Sequence, residues 1–127
     1  MAGSEGNRYF DIFLNFEIWL ENRKAEVIVN KLCLELLGHI KKMGSIASAA
    51  EACGISYRNA WGNLKDTEQR LGFTLVDKQR GGQTGGNTLL TTEGERLLDA
   101  YSALNEEIDL AVKGVVKRFF RSINDNE

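Results

Sequence analysis

Ser56 is followed by Tyr57-Arg58-Asn59-Ala60-Trp61-Gly62-Asn63, a run that crowds together side chains able to address the edge of a base. Arg58 can donate two parallel hydrogen bonds to the acceptor pair of guanine, and Asn59 or Asn63 can bond adenine through two atoms at once. At about 100° per residue, a helix over 57–71 puts Tyr57, Ala60, Trp61, Leu64 and Leu71 on one side. Arg58, Asn59, Gly62, Asn63, Asp66 and Arg70 fall on the other. The first set reads as core, with Trp61 a packing wedge and Ala60 keeping a helix crossing close. The second set faces outward, and its N-terminal members would enter a groove first. Gly62 leaves the helix thin on that face. Ser56 and the free amides at the helix start suit a phosphate. Lys65 and Arg70 read equally well as phosphate contacts or as solvated charges.

These residues need elements to hold them. Gly44 to Trp61 has the spacing of a helix-turn-helix. Ser45 can cap a short helix with Ile46, Ala49, Ala50 and Cys53 on one face, and Gly54 can take the left-handed backbone of a tight turn. Ile55 plugs that turn, and Ser56 caps the second helix. An ordinary α-hairpin would give a similar string, so the flanking segments decide. Upstream, Asp11 to Leu20 alternates, with Ile12, Leu14, Phe16, Ile18 and Leu20 on one side, which predicts a strand with one buried face. Glu21 to Lys24 reads as a turn and Ala25 to Val29 as a returning strand. Asn30 can cap a helix to Met43 with Leu32, Leu36, Leu37, Ile40 and Met43 inward, stopped by Gly44.

Downstream, Gly72 ends the second helix of the pair. Phe73 to Asp77 and Thr88 to Leu90 are strand candidates around a glycine-rich, basic segment, Lys78 to Asn87. A hairpin of that kind directly after a reading helix is a wing, with Lys78 and Arg80 supplying charge and Gly82 letting the backbone lie close to a sugar-phosphate chain. A nucleotide-phosphate loop is excluded, because no Gly-Lys-Ser/Thr follows and the glycines lead into strand residues. Thr92 and Glu95 form a capping box that starts a helix to Phe119 or Phe120, about 40 Å long. Its seam (Gly94, Leu97, Tyr101, Leu104, Ile108, Ala111, Val115) steps by three and four over three repeats. A helix of that length needs a second apolar partner for its far half, and an identical helix supplies one. Phe119 and Phe120 add apolar surface that a monomer leaves wet.

At 127 residues and with ordinary apolar content, the chain fits one domain plus an accessory element. Four segments are expected: a frayed 1–8, a winged helix-turn-helix with its N-terminal hairpin over 9–91, a dimerisation helix over 92–120 and a frayed tail over 121–127. Net charge is −2, but unevenly spread. Residues 91–112 carry six acids against one base (−5), whereas residues 56–90 carry five bases against three acids (+2). The candidate reading face is thus mildly basic and the long helix acidic. Two cysteines and one histidine make no metal site, and no Ser/His/acid or Cys/His set supports catalysis. Cys33 and Cys53 read as reduced core thiols and His39 as a surface or packing residue. No signal peptide or membrane span is evident, so a cytosolic chain without a cofactor is expected.

Gly44-Ser45-Ile46, Ala49-Ala50, Gly54-Ile55-Ser56-Tyr57, Ala60-Trp61, Gly81-Gly82, Gly85-Gly86 and Leu90-Thr91 with Gly94 together resemble the DNA-binding domain of the molybdate-dependent (ModE) transcriptional regulators. Leu97 and Tyr101 continue that pattern. Leu71-Gly72-Phe73-Thr74-Leu75-Val76 is similar to the helix end and first wing strand of LysR-type regulators. The resemblance covers about Ile12 to Val115. It implies a mainly α fold with small β content, a winged helix-turn-helix preceded by a hairpin and followed by a long dimerisation helix. It also implies a bacterial or archaeal regulator that binds double-stranded DNA, as an inverted repeat read by a homodimer. The candidate DNA contacts are Ser45, Ser56, Tyr57, Arg58, Asn59, Gly62, Asn63, Lys65, Lys78, Arg80 and Gly82. The candidate dimerisation residues are Leu97, Tyr101, Leu104, Ile108, Ala111 and Val115. Full-length members of the family carry a second, molybdate-binding region with no matching positions here, which leaves a stand-alone member or a truncated chain; the polar end Ser122 to Glu127 favours the stand-alone form, and no oxyanion effector is expected. The competing reading is a winged helix that has lost DNA and holds a protein instead.

Overall fold

The computed structural model describes residues 8–78 and 87–124. These fall into two units: Ile18–Tyr101, and the described parts of Met1–Glu17 and Ser102–Glu127.

Ile18–Tyr101 opens with a small antiparallel hairpin, β1 (Leu20–Glu21) and β2 (Val27–Val29). Asn22 builds its turn. The Asn22 Oδ1 accepts from the N–H of Lys24 at 2.9 Å and of Glu26 at 3.0 Å, and Ala25 takes a left-handed φ of 63°. Three helices follow: α1 (Lys31–Met43), α2 (Ile46–Ala52) and α3 (Tyr57–Leu71). Each begins on the side chain the sequence nominated. Asn30 accepts from Cys33 N–H, Ser45 from Ser48 N–H and Ser56 from Asn59 N–H, at 2.8, 3.0 and 3.1 Å. Such caps each contribute about 1 kcal/mol to a helix. Gly54, at φ 69°, makes the turn between α2 and α3, where any side chain would strain the backbone.

Val29, Cys33, Leu36, Leu37, Ile40, Ile46, Ala49, Ala60, Leu64 and Leu75 form the buried centre on which the three helices meet. A second antiparallel hairpin, β3 (Val76–Lys78) and β4 (Thr88–Leu90), pairs Val76 with Leu90, Asp77 with Leu89 and Lys78 with Thr88. Thr88 N–H reaches back to the Gly44 carbonyl at 2.8 Å, fixing β4 to the end of α1. Helix α4 (Thr92–Asn124) then starts, and its Leu97, Leu98 and Tyr101 pack on the same core. The chain is therefore mainly α with small β content, in a winged helix-turn-helix arrangement.

Several expectations are corrected. The strand forecast over Asp11–Leu20 shrinks to Leu20–Glu21, because β2 offers a pairing edge only three residues long. Ile12, Leu14, Phe16 and Leu20 are exposed rather than buried. Strand pairing in the second hairpin begins at Val76, not Phe73, because β4 offers a partner edge only from Thr88 to Leu90. The hydroxyl that starts α4 belongs to Thr91, not Thr92: its Oγ1 accepts from Gly94 N–H at 3.0 Å and donates to the Thr74 carbonyl at 2.8 Å. Met43, expected inward, is exposed in the last turn of α1. Helix α4 runs past Phe120 to Asn124, about 50 Å at 1.5 Å per residue.

In the other unit, Val116 and Phe120 are buried, Phe119 is exposed, and the two rings meet edge to face with centroids 5.2 Å apart. Phe120 is thus not the wet surface expected of it. Leu14 and Phe16 line a groove of about 460 Å³ with Asp109, Val112, Lys113, Val116 and Lys117. Phe10, Ile12, Phe13, Leu110 and Val115 remain exposed. Among the described residues no helix is long and apolar enough to cross a membrane. Both cysteines are free. Burial pushes the Cys33 thiol up to about 11, opposed in part by its hydrogen bond with Thr67. The half-buried Cys53 is also raised, by burial and then by the Glu35 carboxylate.

Gly94 sits where the first turn of α4 meets the chain before β3. A Cβ there would stand 2.1 Å from the Leu75 carbonyl oxygen, with backbone rather than a flexible side chain in the way. Gly94→Ala is expected to destabilise the fold by about 1–3 kcal/mol or more, read as a lower midpoint in urea unfolding. An unchanged midpoint would show that α4 can back away from Leu75.

Candidate nucleic-acid interface

The first turn of α3 is the most open part of the helix-turn-helix. Ser56, Tyr57, Arg58 and Asn59 are all exposed. Among the described residues no side chain engages the Arg58 guanidinium, so its donors are free for an incoming acceptor. Gly62 follows one turn later, and a Cβ placed on it meets nothing within 4 Å. The protein itself therefore does not require a glycine there by packing. Ser45, half-buried, and Ser56 each spend their hydroxyl oxygen on a cap, which leaves the hydroxyl proton available to an anion.

Asn63 behaves differently from its neighbours. Its Nδ2 donates to Asn30 Oδ1 at 3.3 Å, across from α3 to the start of α1. That same Asn30 oxygen accepts from Cys33 N–H, so it is fixed as an acceptor. Asn63 must turn its amine towards it, and its own Oδ1 is left buried with no partner among the described residues. Arg70 is exposed but ties to the Val27 carbonyl. Asp66 and Arg70 line a cleft of about 240 Å³ with Val27, Ile28, Asn30, Asn63 and Thr67. The C-terminal half of the expected outward face is thus occupied by contacts with β2 and α1.

Tyr57, assigned by the helical wheel to the core side, is 42% exposed. It is the first residue of α3, where no second turn lies behind it to pack against. Its hydroxyl accepts from Lys78 Nζ at 2.9 Å. Trp61 is half-buried and packs against the core, as a wedge should. Lys65 Nζ lies 4.4 Å and Lys78 Nζ 5.3 Å from its ring centroid. Lys65 is also paired with Glu68 at 2.8 Å. Arg80 and Gly82 lie outside the described residues. Of the candidate dimerisation residues, Leu97 and Tyr101 pack on the core of Ile18–Tyr101, Ile108 is half-buried, and Leu104, Ala111 and Val115 are exposed.

Glu68 is the important residue that sequence reasoning passed over. It is 7% exposed. Its Oε2 accepts from Leu75 N–H at 2.6 Å and Val76 N–H at 3.1 Å, and its Oε1 meets Lys65. A carboxylate three turns into a helix and eight residues before a strand was the available signal. Glu68→Ala would strand two N–H groups, each costing about 1–3 kcal/mol when left unsatisfied. A loss of at least roughly 2 kcal/mol in denaturant unfolding is expected, with Glu68→Gln falling between it and the parent. Equal midpoints for all three proteins would mean that water replaces the carboxylate without cost.

Residues 33–95 match the family model of the bacterial regulatory helix-turn-helix proteins of the lysR family. The chain is 39% identical over 71 residues to the DNA-binding transcriptional dual regulator ModE of Escherichia coli K12, a match covering 56% of this chain and 27% of that protein. It is 39% identical over 91 residues to the transcriptional regulator ModE of Haemophilus influenzae, covering 71% and 36%. The chain therefore spans well under half the length of these curated relatives. Among solved structures, the BenM DNA-binding domain in complex with benA site 1 DNA superposes with a TM-score of 0.54 at 22% identity, over 70% of this chain and 94% of that one, which shows a shared fold.

Proposed function

From the match of residues 33–95 to the family model of the bacterial regulatory helix-turn-helix proteins of the lysR family, we propose that this chain is a sequence-specific, double-stranded DNA-binding transcriptional regulator that reads the major groove with the first two turns of α3. The observation that carries this reading is the exposed Arg58, engaged by no side chain among the described residues, beside Asn59 on a helix capped at Ser56. A guanidinium at that place can bond the O6/N7 pair of guanine, and the asparagine an adenine. The N-terminal amides of α3 and the hydroxyls of Ser45 and Ser56 would hold backbone phosphates on either side. Lys65 is already paired with Glu68, so it adds little charge beside them. Asn63 contributes through its bond to Asn30 rather than by reaching a base. The protein acts in the cytosol and without a cofactor of its own.

The functional unit in this proposal is a homodimer on an inverted repeat. Leu104, Leu110, Val115 and Phe119 of α4 are exposed apolar side chains, as are Phe10, Ile12 and Phe13. Apolar surface of that kind marks a protein contact, and the three-four spacing of Leu104, Ile108, Ala111 and Val115 suits an identical helix. Sedimentation at micromolar concentration should give a dimer that Val115→Glu converts to monomer. A parent protein that sediments as a monomer refutes the dimer.

Selection of bound sequences from a random duplex pool tests the regulator itself and should return a palindrome. Arg58→Ala should weaken the selected site by about 1–3 kcal/mol and relax choice at one base pair per half-site. Equal losses on selected and random DNA would demote Arg58 to a backbone contact. Gly62→Ala gives a second, opposed signature. It should raise fold stability by roughly 0.5–1 kcal/mol, since alanine suits a helix interior better than glycine, yet weaken DNA binding by crowding the groove. Improved stability with unaltered affinity would place Gly62 away from the duplex.

A further inference from the structure

Strand β3 is held to α3 at both ends, and the two attachments differ in kind. At its start, the backbone N–H groups of Leu75 and Val76 bond the Glu68 carboxylate, deep in α3. At its last residue, Lys78 reaches the first turns of α3. Its ammonium donates to the Tyr57 hydroxyl at 2.9 Å and stands 5.5 Å from the Tyr57 ring centroid and 5.3 Å from that of Trp61. Lys65 approaches the same indole at 4.4 Å. Two ammonium groups can share one ring because Glu68 neutralises Lys65 at 2.8 Å. The ring quadrupole then remains attractive to the second cation.

We infer that Lys78 is a positioning residue that latches β3 to the first turn of α3 through Tyr57 and Trp61, so that the reading helix and the hairpin meet a duplex as one body. The inference rests on the DNA-binding reading above. It differs from a phosphate contact in what the ammonium does: its charge is directed inward, at an acceptor oxygen and two aromatic faces, and its effect on DNA passes through Tyr57. A free lysine at a phosphate would act alone, and its loss would lower the salt dependence of binding by about one counterion.

A double-mutant cycle separates the two. Lys78→Met and Tyr57→Phe are each expected to weaken binding to the selected duplex by roughly three- to tenfold, the range set by one partly exposed cation–π and hydrogen-bond contact. The double variant should be no weaker than either single variant. The salt slope should stay that of the parent, and Lys78→Arg, which keeps the cation, should recover affinity. Urea midpoints of the variants confirm that folding is intact. In a Trp19→Phe background, where Trp61 is the sole indole, Lys78→Met should shift the emission and Lys78→Arg should not.

Losses that multiply in the double variant, a slope reduced by about one, or single variants that bind like the parent would each overturn the latch. Unaltered Trp61 emission would overturn it independently of DNA. A parent protein that binds no duplex would instead remove the regulator reading, and with it the presentation of the two elements as one body.

Discussion

The fold turns on where one buried carboxylate points. Glu68 leaves the third turn of α3 and closes on the backbone of Leu75 and Val76. A carboxylate accepting two N–H groups forms charge-assisted bonds, stronger than their neutral counterparts. The start of β3 takes its place from that contact. The Leu75 carbonyl, so fixed, accepts from Thr91 N–H at 3.0 Å and lies against Gly94, which seats the first turn of α4. Thr91 closes the loop by donating to Thr74. Helix α3 and the start of α4 are thereby joined through hydrogen bonds to the backbone of Thr74, Leu75, Val76, Thr91 and Gly94, rather than through side-chain packing alone.

Most of the helical framework could be read from the sequence, because helix boundaries are set by local chemistry. Asn30, Ser45 and Ser56 cap where a side-chain oxygen can reach back three residues, and the glycines at 44, 54 and 72 stop or turn the chain. Such signals lie within a few residues of their effect. The β elements were less legible for the opposite reason. The alternation from Ile12 to Leu20 is a genuine pattern, and Leu14 and Phe16 do share a groove. Strand formation, however, needs a partner edge, and an alternating sequence carries no information about how long that edge is. The site divided along the same line. Arg58 and Asn59 are exposed because they stand in a first turn, a local fact. Asn63 is engaged because Asn30, 33 residues away, has an oxygen to offer.

A tension runs through the surface chemistry. The chain carries a net charge of −2, yet residues 56–90 hold five bases against three acids, with Arg58 in the first turn of α3. Acid is concentrated on α4, with Glu93, Glu95, Asp99, Glu106, Glu107 and Asp109. Segregation of that kind orients a protein in the field of a polyanion. The average charge therefore understates how basic the stretch around α3 is.

The two sulfurs stand in unequal surroundings, and that inequality has a practical use. Cys33 is sealed in the core, whereas the half-buried Cys53 closes α2 at the edge of the inter-helix turn. A maleimide dye offered to the native protein would go to the second and spare the first. The wild-type chain thus comes with an addressable handle one residue from Gly54, close enough to α3 to sense an approaching macromolecule by a change in fluorescence, with no engineered thiol needed.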